Sequence, residues 1–74
     1  MTTIVLTNHA KFRFNERGID VHQAKKVVKT GSVAKNYPDG TMVIRGKTDN
    51  GETLEIVCKR DKNTIFVKTA YYAN

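Results

Sequence analysis

The sequence predicts an α+β fold: two short N-terminal helices packed on a four-stranded antiparallel meander sheet. Three observations predict it. Apolar residues recur at helical spacing as far as Gly31, then switch to alternation from Ser32 onward. Turn signals divide the second half at Pro38-Asp39-Gly40, Asp49-Asn50-Gly51 and Asp61-Lys62-Asn63. The connections between the resulting segments are too short for a crossover helix, so consecutive strands should run antiparallel.

The first helix is expected to begin at Thr7 or Asn8, either of which can cap free backbone N–H groups. It should end near Arg17, because Gly18 takes the left-handed C-terminal conformation at least cost. A second helix should start after Asp20, with Gln23 as its capping-box partner. Val21, Ala24, Val27 and Val28 mark its apolar side, His22, Lys25, Lys26 and Lys29 its outward side, and Gly31 its end. Ile19 should be pinned between the two helices.

Four strands are expected at about 33–37, 41–48, 53–60 and 64–72, with Asn50-Gly51 the strongest hairpin signal. Met42, Ile44, Leu54, Ile56, Ile65 and Val67 should share a face and pack on Phe14, Ile19, Val27 and Val28. Ile4 and Val5 can add a short edge strand. In the last strand, simple alternation puts Ile65, Val67, Thr69 and Tyr71 on the core-facing row, and Phe66, Lys68, Ala70 and Tyr72 on the other.

The 74 residues are expected to form a single domain, residues 1–74, which buries only about 60% of its unfolded surface. A content of 39% apolar and 27% charged residues fits a globular chain rather than a disordered one. No apolar run reaches the ~18 residues of a membrane span. The N-terminus lacks a basic region and a cleavage site, so no secretory signal is expected. The one cysteine, Cys58, cannot form an internal disulfide and suggests a cytoplasmic location. It falls in the alternation Leu54, Ile56, Cys58, as a small core residue would.

The net charge of +6 is uneven. Residues 1–36 hold seven bases and two acids, while residues 37–74 hold six bases and five acids. A basic helical half favours anionic partners such as nucleic acid. A solvated lysine surface that serves solubility is the other reading.

His9, Arg13, Glu16 and Arg17 fall within about a third of the helix circumference, at about 100° per residue. Arginine binds phosphate oxygens with a planar fork, and histidine exchanges protons near neutrality. Cleavage of RNA without a metal needs a base for the 2′-OH, cations for the phosphorane charge and an acid for the leaving oxygen. Thr69 and Tyr71 would face this comb from the sheet. Lys11, Lys25, Lys26 and Lys29 would hold the nucleic-acid backbone. Equally, Glu16 can pair with its neighbours and the arginines can bond to loops, which would make the comb structural. Tyr72 or Tyr37 could stack on bases, but neither is interleaved with basic residues along the chain.

No GxGxxG or P-loop is present, and one cysteine with two separated histidines gives no zinc set. Neither metal nor cofactor is expected. A helix-turn-helix reader is disfavoured because a sheet, not a third helix, follows.

The run His9-Ala10-x-x-Arg13-x-x-x-Arg17-Gly18-Ile19, then a short amphipathic helix, Gly31 and a meander ending Val67-Lys68-Thr69-Ala70-Tyr71, resembles domain-of-unknown-function family 4258. The resemblance runs from about Leu6 to Tyr72. That family has no settled activity and is similar to the broad RelE- and BrnT-like (RelE/barnase-like) toxin fold. The resemblance therefore implies a prokaryotic ribonuclease-like toxin domain acting on RNA, with an antitoxin-like protein partner. By position, His9 would move the proton, Arg13 and Arg17 would bind phosphate, and Thr69 or Tyr71 would contribute from the sheet. The sheet lacks the dense lysine and arginine set of the well-studied toxins, since acids interrupt Arg45, Lys47, Lys59, Arg60 and Lys68. A non-catalytic nucleic-acid or protein interaction module is the alternative.

Overall fold

A computed structural model describes residues 2–73. The elements run β1 (Thr3–Leu6), α1 (Asn8–Arg17), α2 (Val21–Thr30), β2 (Ser32–Asn36), β3 (Thr41–Lys47), β4 (Thr53–Asp61) and β5 (Thr64–Ala73).

Local chemistry sets both helices. The Thr7 hydroxyl accepts the Ala10 N–H at 3.1 Å and donates to the Val67 carbonyl, so one side chain caps α1 and ties it to β5. Gly18 ends the helix at φ 66°, with Gly18 N–H on the Asn15 carbonyl and Ile19 N–H on the Phe14 carbonyl. This paired C-terminal closure drops Ile19 into the core beside Phe14. Asp20 caps α2 by accepting from His22 and Gln23 N–H. The Gln23 side chain does not return to Asp20 as a capping box would. It reaches the β3–β4 turn instead, donating to the Asp49 carboxylate and accepting the Asp49 N–H, both at 2.8 Å.

The sheet has five strands in the order β1-β5-β4-β3-β2 and is mixed, not the four-stranded antiparallel meander expected. The meander from β2 to β5 forms as the turns require. The fifth strand is β1, which pairs in parallel with β5 from Thr3↔Thr64 to Leu6↔Val67. Short-connection reasoning does not apply to this pair, because both helices and three strands lie between them. The helices consequently do not begin the fold. Ile4 and Leu6 turn inward and pack against the core.

Both helices cover one face of the sheet, α1 on β5 and α2 on β3 and β4. Between helices and sheet lie Ala10, Phe14, Ile19, Ala24, Val27, Val28, Ile44, Leu54, Ile56, Cys58, Ile65, Val67 and Ala70, with Met42 at the margin. Cys58 is fully buried, and that burial pushes its thiol pKa up.

One irregularity redirects β5. Between Val57 and Cys58 the β4–β5 register shifts, so that Cys58 faces Val67 and Val57 faces Thr69, leaving Lys68 as an extra residue. The alternation changes phase there. Ile65 and Val67 are buried before the bulge and Ala70 after it. Thr69 and Tyr71 therefore leave the core-facing row on which alternation put them. Tyr71 shares the opposite face with Glu55 and Arg45, its partners across β4 and β3.

Candidate functional site

The helix comb forms, but its members have different engagements. His9 is exposed in the first turn of α1. Arg13 pairs with Glu16 at 2.8 Å and lies over the Phe12 ring at 5.9 Å from its centroid. Arg17 turns to the sheet, donating to the Ala70 carbonyl at 2.7 Å and the Thr69 hydroxyl at 3.3 Å. Since β1 pairs with β5 only as far as Val67, Ala70 lies where β5 has no neighbour on that side. Arg17 covers this free edge.

Thr69 thus meets the comb, and Tyr71 does not: the bulge sends it to the far side of the sheet. Lys26 forms an ion pair with Asp49. Lys11, Lys25 and Lys29 are exposed and carry no ion pair among the described residues. No group of three or more metal-ligating side chains occurs among the described residues. No helix there is long and apolar enough to cross a membrane.

The face without helices has its own organisation. One cross-strand row reads Arg45, Glu55, Tyr71. Glu55 accepts from Arg45 at 3.2 Å through Oε2 and from the Tyr71 hydroxyl at 3.2 Å through Oε1. Its side chain is only 13% exposed, which a carboxylate tolerates because both oxygens are engaged. Partial desolvation, then the Glu55 charge, holds the Tyr71 phenol above its ordinary pKa.

Next to this row Val43 and Val57 form an apolar floor between Tyr37 and Tyr71, both exposed at their edges. With Pro38, Asp39 and Thr41 they line a cavity of about 530 Å³. A second cavity of about 270 Å³ continues along Lys35, Arg45 and Glu55. Lys68, displaced by the bulge, donates to the Thr41 hydroxyl at 3.2 Å, and Lys59 pairs across the sheet with Thr41. Strand register and the β2–β3 turn bring these tyrosines and cations, far apart in the chain, to one face. Alternation predicts that Arg45, Glu55 and Lys59 point away from the core. The bulge that adds Tyr71 leaves no comparable signal.

A family model, "Domain of unknown function (DUF4258)", matches residues 6–72. No curated protein and no solved structure matches the chain.

Proposed function

The chain belongs to the DUF4258 family, whose activity is open, and from that premise we propose that it is a single-stranded RNA-binding domain acting through its helix-free sheet face. One observation carries this reading: Tyr37 and Tyr71 flank one apolar cleft with Lys35, Arg45, Lys59 and Lys68 around it. Bases stack on aromatic faces with about 1–3 kcal/mol each, and cations beside them take the phosphates. Lys11, Lys25 and Lys29 on the other side add long-range attraction from a chain of charge +6.

The test is anisotropy of a labelled single-stranded RNA titrated with wild type, Tyr37→Ala, Tyr71→Ala and Lys35→Ala. Either tyrosine variant should bind about 5- to 150-fold more weakly. Lys35→Ala should also flatten the dependence on salt, by about 0.7 in log–log slope for each phosphate it no longer neutralises. Binding that ignores salt, or tyrosine variants equal to wild type, would refute the reading.

As a second reading we propose metal-independent cleavage of RNA in the cytoplasm under control of an antitoxin-like protein. Its support is the exposed His9 imidazole one helical turn from Arg13. Against it stands Arg17, already bonded to β5. Equal background cleavage by wild type and His9→Ala without added metal would remove it.

A further inference from the structure

Resting on that RNA reading, we propose that the cleft between Tyr37 and Tyr71 is a guanine pocket, in which Asp39 accepts the N1–H and N2–H of one base in a single strand. Val43 and Val57 give the pocket an apolar floor and the two tyrosines give it aromatic flanks. It is an open groove of about 530 Å³, with room for one base lying against its floor.

Asp39 is the acid that lines this larger cavity. It is positioned from within its own turn, Oδ1 accepting the Thr41 N–H at 3.0 Å. A carboxylate has about four lone-pair sites, so the backbone and side-chain bonds from Thr41 leave acceptor capacity for a ligand. The Thr41 bonds, followed by the charges of Lys68 and Lys59, hold Asp39 below the usual carboxylate pKa. It is therefore ionised and accepts only.

The ligand that fits is a hydrogen-bond donor at one end and an anion at the other. Guanine presents two adjacent donors on its Watson–Crick edge, which match the two oxygens of a carboxylate. Adenine and cytosine present one amino group beside an acceptor, and uracil one N–H between two carbonyls. Lys68, bonded to the Thr41 hydroxyl, and Lys59, across the sheet from Thr41, stand beside the cleft to take the adjoining phosphates of the strand. A free cationic ligand would suit the tyrosines and carboxylate but not those lysines.

The experiment compares uridine hexamers carrying G, inosine, A, C or U at one internal position, bound to wild type and to Asp39→Asn. Asparagine retains an acceptor for the Thr41 N–H, and thermal melts verify the fold. Wild type should bind the G hexamer about tenfold tighter than those with A, C or U, a difference of ~1.4 kcal/mol. Inosine, lacking the N2 amine, should fall between, and Asp39→Asn should bind all five alike.

Base-blind binding by wild type overturns the guanine pocket and leaves the RNA-binding reading standing. A G preference that survives Asp39→Asn overturns the role of Asp39. Guanosine monophosphate binding as tightly as the G hexamer overturns the assignment to a strand. Absence of binding to every hexamer at low salt overturns both proposals.

Discussion

Replacing Arg17 separates a phosphate-binding role from a structural one. Arg17→Ala removes a 2.7 Å bond to the Ala70 carbonyl and a 3.3 Å bond to the Thr69 hydroxyl. A hydrogen bond from a charged donor contributes about 1.5–3 kcal/mol when shielded, and less when water can replace it. Arg17 is exposed, so the first bond is worth ~1 kcal/mol and the longer one a few tenths. In a domain of this size each kcal/mol moves Tm by about 4–8 °C, so Arg17→Ala should melt about 5–10 °C lower. Arg17→Lys should recover part of the loss, because an ammonium can satisfy the carbonyl but not both acceptors at once. RNA affinity measured by anisotropy should change less than about twofold beyond the loss of one distant charge. An unchanged Tm with a tenfold loss of RNA affinity would refute the structural assignment and restore Arg17 to the comb as a ligand-binding residue.

Gly31→Ala should be severe although its φ of −76° suits alanine, since a Cβ would stand 2.6 Å from the carbonyl oxygens of both Arg45 and Val27. Overpacking of this kind costs ~1–3 kcal/mol, and a urea midpoint equal to wild type would contradict the close approach of α2 to β3. The Asp49 pKa is lowered by hydrogen bonds from Lys26 and Gln23 and by the Lys26 charge. A depressed native pKa stabilises the fold above the ordinary carboxylate range, and the contribution disappears as pH falls through the native value. Asp49→Asn should therefore flatten the acid side of the Tm–pH curve, and an unaltered acid limb would show that the pair has no role in stability.

Most of the fold was legible because its determinants are local. Thr7, Gly18, Asp20 and Gly31 set the helix limits where their capping chemistry puts them. The alternation of Met42, Ile44, Leu54, Ile56 and Cys58 identified the inner face. Two features were not legible, and both are non-local. Pairing of β1 with β5 depends on a register between the first and last strands, which no short-range pattern encodes. The extra residue at Lys68 has no glycine or proline to announce it. That bulge decided the candidate site, since it separates Tyr71 from Arg17 and joins it to Glu55. Gln23 was misread for a related reason. Its spacing from Asp20 satisfies a capping box, but Asp49 offers the amide a charged acceptor and a donor together.

The pairing of β1 with β5 also has a consequence for how the molecule comes into being. Helix α2 rests on β3 and β4, which follow it closely in the chain, whereas α1 rests on β5 and is fastened to Val67 and Ala70. During synthesis, at about 5–20 residues per second, α2 and the β3–β4 hairpin can associate before β5 exists. Through that interval β1 has no partner strand, and the Ala10–Phe14 flank of α1 lacks the β5 surface it rests on. The nascent domain thus carries an uncovered apolar segment until β5 emerges.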